Sequence, residues 1–217
     1  MVTPHDREVT ATDRRFPRRL AQLYVGLVAY GISMALMIRS SLGVMPWDVL
    51  HQGIALQTGW TFGLVTIVVG VIVLLGWIPL RQRPGLGTVS NVLVIGVAVD
   101  LMLRWLPTVH VLGWQLAFAL VGVLLNGIAT AAYIGVHFGP GPRDGLMTGL
   151  VRRTGASVRL VRTGIEVVVI ASGWLLGGTF GVLTVAYAIS IGPVVHLLLP
   201  RLSVHVPLLP HPAKDTG

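Results

Sequence analysis

The sequence predicts an all-helical integral membrane protein: six transmembrane helices in two inverted three-helix repeats, each with a short re-entrant or half-helix. Three observations predict it. Charged residues make up 11% of the 217-residue chain and hydrophobic residues 53%, where a soluble domain carries about 25% charged residues. Mean hydropathy is +0.79, so the chain lacks the polar surface to cover a soluble core, and its long apolar stretches call for a bilayer. The third observation is an internal repeat. Leu42-Gly43-Val44-Met45-Pro46-Trp47-Asp48-Val49-Leu50 returns 96 positions later as Phe138-Gly139-Pro140-Gly141-Pro142-Arg143-Asp144-Gly145-Leu146. The offset extends to Gly26 and Gly122, Gly31-Ile32 and Gly127-Ile128, Gly53 and Gly149, Thr58-Gly59 and Thr154-Gly155, and Gly96 and Gly192. Gly87 and Gly181 are 94 apart, which predicts a two-residue gap between the copies there.

Residues 1–19 carry Arg7, Arg14, Arg15, Arg18 and Arg19 and read as a disordered, basic cytoplasmic tail. The apolar stretch 20–38 has no small-residue cleavage site and runs too long for a signal peptide, so it is expected to stay as the first span. Further spans are expected at 63–80, 88–106, 114–136, 160–176 and 181–199. Each has the roughly 17 to 23 residues needed to cross about 30 Å of hydrocarbon. Segments 46–58 and 142–154 open with proline, which costs no amide in a first helical turn, and are too short to span. They are expected to be half-helices. Residues 20–106 then form the first membrane repeat and 114–200 the second, and the proline-bearing 201–217 is a C-terminal tail.

Arginine placement orients the chain. With the amino terminus in the cytoplasm and no crossing by either half-helix, Arg81, Arg83, Arg143, Arg152, Arg153 and Arg201 fall inside with the tail arginines. Only Arg39 and Arg104 fall outside, at span ends. This bias places both termini in the cytoplasm. Three crossings per repeat is an odd number, so the second repeat enters from the opposite face. That duplication is common in secondary transporters.

The net charge of +8 is explained by the same bias, and no nucleic-acid partner is expected. The chain has no cysteine, which excludes disulfides and thiolate chemistry. No nucleophile or metal-hydrolase motif occurs, so no enzyme activity is expected. Asp48 and His51 have ligand-like spacing, but Met147 stands opposite His51 in the second copy and no third ligand is near. No metal and no cofactor is expected.

The matched pair Asp48 and Asp144 leads the candidates for a substrate or ion pathway. A carboxylate in a first turn offsets the helix dipole, yet an acid inside a membrane segment is also a functional candidate by default. Trp47 and Arg143 occupy equivalent positions on opposite faces: Trp47 as an interfacial anchor, Arg143 as a topology signal or an anion ligand at the cytoplasmic mouth. Asp100, with Arg104 four residues on, is expected to form an intrahelical ion pair. Its repeat partner is His196, and a proton relay is the sharper reading of the two. Glu166 follows Arg162 by four and has the same pair of readings. The glycines at four-residue spacing, Gly141, Gly145 and Gly149, then Gly173 and Gly177, indicate close helix packing.

Leu42-Gly43-x-x-Pro46-Trp47-Asp48-Val49-Leu50, Leu86-Gly87-Thr88 with Gly96 and Asp100, and Gly141-Pro142-Arg143-Asp144-Gly145-Leu146 resemble the YczE-type bacterial membrane proteins, related more loosely to the YitT group. The resemblance covers most of residues 20–200 and implies a bacterial inner-membrane location without naming a substrate. Some members are associated with production of secondary metabolites, which points to export or an accessory role. The expected function is a small secondary transporter or permease for an unknown small molecule or ion in the lipid bilayer, with a homodimer as one expected assembly. The alternative is a non-transporting scaffold or accessory subunit of a biosynthetic or export complex.

Overall fold

A computed structural model describes the backbone of residues 4–204 and the side chains of residues 16–204. Among the described residues there are eight helices and no strand. They are α1 (Pro4–Ser40), α2 (Pro46–Thr58), α3 (Phe62–Trp77), α4 (Leu86–Trp105), α5 (Leu112–Ile134), α6 (Pro142–Thr154), α7 (Val158–Leu175) and α8 (Val182–Leu202). The two half-helices run over the expected residues. Proline opens each, and left-handed Gly59 (φ 72°) and Gly155 (φ 68°) close them.

Among the described residues four helices are long and apolar enough to cross a membrane: residues 16–40 of α1, then α4, α5 and α8. This is fewer than the six expected spans. Helix α3 has only 16 residues and meets α2 at a bend of 115°; counting that bent pair as one span makes five. Helix α7 has the length but carries Arg159, Arg162 and Glu166. The amino-terminal stretch read as a tail also differs, since α1 is continuous from Pro4 through Pro17. Of the C-terminal tail, Arg201 and Leu202 belong to α8, and residues 205–217 lie outside the described residues.

The repeat recurs as structure at a constant offset of 96, and no gap is needed. Gly181 corresponds to Gly85, not to Gly87: each donates its amide to the threonine three residues on, Thr184 and Thr88, at 3.2 Å. The loops ahead of the half-helices dock reciprocally. Leu183 donates its amide to the Leu42 carbonyl at 3.0 Å, and Gly87 donates to the Phe138 carbonyl at 2.9 Å. Gly43 and Gly139 are required for this docking. They hold φ of 123° and 118°, and a Cβ on either would lie 2.8 Å from the Thr184 or Thr88 hydroxyl. Each half therefore seats its loop on the other half's helix start, which satisfies amides that an apolar surrounding could not.

Helix packing follows the same reciprocity. Helix α1 lies along α5, with α4 against α1 and α8 against α5; α2 packs on α7, and α6 on α3. Glycine spacing sets the close approaches, as expected. A side chain at Gly53 would run into the Gly173 carbonyl, and one at Gly145 into the Trp77 ring, whose Nε1 donates to the Pro142 carbonyl at 3.0 Å. The central core gathers Leu23, Leu27, Met34 and Met37 of α1 with Ile95, Val99, Val123, Tyr133 and Tyr187.

One pair breaks the reciprocity. Helix α3 packs along α4, but α7 does not pack along α8. Gly63 and Gly96 make the α3–α4 contact, where a Cβ on Gly96 would meet the Gly63 carbonyl at 2.7 Å. The second copy has Arg159 in place of Gly63, and a Cβ on Gly192 meets nothing within 4 Å. We expect Gly96→Ala to destabilise the protein by about 1–3 kcal/mol through overpacking, while its repeat equivalent Gly192→Ala stays within about 0.5 kcal/mol of wild type. Thermal melting of the two variants in detergent compares them directly; equal losses would mean the α7–α8 seam is packed.

Candidate functional site

The seam opens into a cavity of about 430 Å³ at the centre of the bundle, within the size range of small-molecule sites. Both half-helix starts reach it: Met45 with Pro46 and Trp47 of α2, and Gly141 with Pro142, Arg143 and Asp144 of α6. Val69, Val73, Val92 and Ile95 supply an apolar wall from α3 and α4; Arg162 and Glu166 of α7 and Gly192 and His196 of α8 form the seam side.

Neither half-helix has a side-chain cap from its N-cap residue, Met45 or Gly141, and each carries its aspartate in the first turn, where a carboxylate offsets the helix dipole. Asp48 is buried, and its Oδ1 lies 3.2 Å from His51 Nδ1, which in turn lies 3.4 Å from the Thr66 hydroxyl. Asp48 Oδ2 is buried with no hydrogen-bond partner. Asp144 accepts a hydrogen bond from the Tyr133 hydroxyl at 3.2 Å.

Arg143 joins the two halves. Its Nη2 lies 3.6 Å from Asp48 Oδ1, and its guanidinium sits over the Trp47 ring, 5.0 Å from the centroid. Trp47 and Arg143 were expected on opposite faces of the membrane; the structure stacks them. The extended loops bring both half-helix starts inward, and the long arginine side chain closes the distance, with the ring face attracting the cation.

The remaining candidates divide. Glu166 pairs with Arg162 at 3.0 Å, as the spacing implied, and both face the cavity. His196 lines the seam. Asp100 does neither: it does not pair with Arg104 but accepts from the Thr61 hydroxyl and from the Gly63 amide at 2.6 Å. The close α3–α4 contact at Gly63 brings that helix start within its reach, so a first-turn amide wins over the neighbouring arginine. Asp100 thus fastens the closed seam.

Several polar residues in the apolar spans escaped the sequence reading. The Tyr187 hydroxyl donates to Asn126 Oδ1 at 2.7 Å, and Asn126 donates to the Ser33 hydroxyl at 2.8 Å, all buried. Tyr30 and Tyr133 stack edge to face and line the cavity, where they join His51, discounted above as a metal ligand. Their signal was a polar group inside an apolar run. Among the described residues no group of three or more His, Asp or Glu side chains could hold a metal ion.

The Asp48–Arg143 contact is testable by itself. A double-mutant cycle on Asp48→Asn and Arg143→Gln, read by detergent melting, should give a coupling energy of about 0.5–3 kcal/mol. A purely additive cycle would mean that the two side chains do not interact.

Relatives of the chain are bacterial. It is 39% identical over 194 residues to an uncharacterized protein of Haemophilus influenzae, covering 89% of this chain and 88% of that one. It is 31% identical over 182 residues to the uncharacterized membrane protein YczE of Bacillus subtilis, covering 82% and 84% of the two chains. A 24% identity over 185 residues links it to the uncharacterized protein YyaS of the same organism. No solved structure matches. With several apolar helices and such a relative, this is a membrane protein. Residues 17–200 match the model of the family of unknown function DUF6198, and the chain belongs to that family.

Proposed function

We propose that the protein is a small secondary transporter of the bacterial inner membrane. It crosses the membrane six times in two inverted repeats, with both termini in the cytoplasm. The observation that carries this reading is the meeting of two half-helix starts, one from each half, around one cavity with Arg143 and Asp48 linking them. Broken or short helices meeting at a central site are the usual construction of such transporters. The reciprocal docking of the halves supports a two-fold relation between them. The arginine bias then sets that axis in the membrane plane.

The unequal seams give the transport reading its direction. The α7–α8 seam, with Arg159 and Arg162 beside it, is the open cytoplasmic mouth; the α3–α4 seam, fastened by Asp100, is the closed outer one. Alternating access exchanges these states.

Since the chain has no native cysteine, single cysteines report the exchange. Gly192→Cys should react with a membrane-impermeant thiol reagent from the cytoplasmic side. Ile67→Cys, packed against Gly96, should react only from the outside, and only under ion gradients that protect Gly192→Cys. Adding Asp48→Asn and Asp144→Asn should leave insertion intact and freeze the pattern. Labelling that never responds to gradients would sink the transporter reading in favour of a scaffold or accessory subunit.

A further inference from the structure

Two incomplete groups meet beside the cavity: Arg143 lines it, and Asp48 lies buried behind Arg143. Arg143 offers five N–H donors in a fork, yet its described polar contact is the long 3.6 Å approach to Asp48, and its other support is the Trp47 ring. Its side chain is 28% exposed, and it lines the cavity. Asp48 is buried with Oδ2 unpartnered. In an apolar bundle an unfilled donor or acceptor is costly, so both groups are poised for something they do not yet hold.

We propose that the cavity binds an organic anion at Arg143 and that Asp48 takes up one proton as the anion displaces it, so the protein moves the two together. This rests on the transporter reading and names its substrate class and coupling ion. The anionic group is a carboxylate or a phosphodiester, either of which matches the guanidinium fork. Its apolar body lies against Val69, Val73, Val92 and Ile95. The charge balances: before loading, Asp48 neutralises Arg143; afterwards the ligand does, and the proton drawn from water stays on the Asp48 carboxyl. Proton and anion cross as a neutral pair, and no bond in the ligand is made or broken.

The neighbours explain why Asp48 carries the proton. Glu166 has its own partner in Arg162 at 3.0 Å, and Asp144 has the Tyr133 hydroxyl. From α1 the nearby titratable group is Tyr30, and from α8 it is Tyr187 with His196 at the rim; α3 contributes only the Thr66 hydroxyl, through His51. Among the described residues Asp48 has ion-pair contacts only to His51 and Arg143, so an anion on Arg143 removes its one permanent cation.

The test uses the full-length protein in detergent, weakly buffered, with a pH-indicator dye. The probes are benzoate, dibutyl phosphate and dihexanoyl phosphatidylglycerol, none of which titrates near neutrality. We expect one proton taken up per anion bound, and therefore an affinity that falls about tenfold per unit rise in pH. Asp48→Asn should bind more tightly, by a margin that widens about tenfold per unit rise in pH, with no proton uptake and no pH dependence of its own. Arg143→Gln should not bind. Binding of benzoate or dibutyl phosphate identifies a free solute as the source of the anionic group; binding of phosphatidylglycerol alone identifies a lipid headgroup.

Binding without proton uptake overturns the proposal, as does weaker binding by Asp48→Asn or no binding of any probe. The wild-type measurement decides even if a variant folds poorly. Alternating thiol labelling without anion binding would remove this inference and keep the transporter. Proton-linked binding with static labelling would keep the anion and proton site and remove their movement together with the transporter.

Discussion

Everything in this bundle depends on how a chain can end two helices inside an apolar interior. A helix start leaves amides without partners, and in hydrocarbon no water supplies them. The protein answers with reciprocity. The Leu42 carbonyl receives the amide of Leu183 at the start of α8, and the Phe138 carbonyl receives that of Gly87 at the start of α4. Gly43 and Gly139 make the approach possible because any side chain there would strike the opposing threonine. Each half of the duplication completes the other, so neither half has its loop seated alone.

That docking carries the consequence for chemistry. It holds two short helices with their first turns turned inward, and their side chains become the lining of a common cavity. The stack of Arg143 on Trp47 and the approach to Asp48 exist because residues at equivalent positions of the two copies have diverged. A perfectly symmetric pair would have placed tryptophan against tryptophan or arginine against arginine. Divergence turned a structural contact into a charged one. The seams differ in the same way: Arg159 stands where the first copy has Gly63, and α7 does not pack along α8 as α3 does along α4.

Much of the fold was legible in the sequence. Hydropathy located the apolar helices, and proline at 46 and 142 with glycine at 59 and 155 bounded the half-helices to the residue. The presence of Asp144, Trp47, Arg143, Glu166 and His196 around one cavity was legible only as a candidate set. Asp100 misled, because spacing alone favours Arg104, whereas the α3–α4 contact offers it a backbone amide. Tyr30, Tyr133, Tyr187 and Asn126 were passed over, because tyrosine and asparagine carry no charge to mark them in an apolar run.

By itself, the sequence determined the membrane class, the duplication, the half-helices and the acids they carry, because hydropathy, periodicity and proline or glycine geometry are local properties. Tertiary structure decided which groups meet. It aligned Gly85 with Gly181 and stacked Arg143 on Trp47. It left Asp48 Oδ2 without a partner and kept α7 off α8. Those outcomes depend on approaches between residues about a hundred positions apart, where a few ångströms separate a contact from a cavity, and no local pattern encodes such distances.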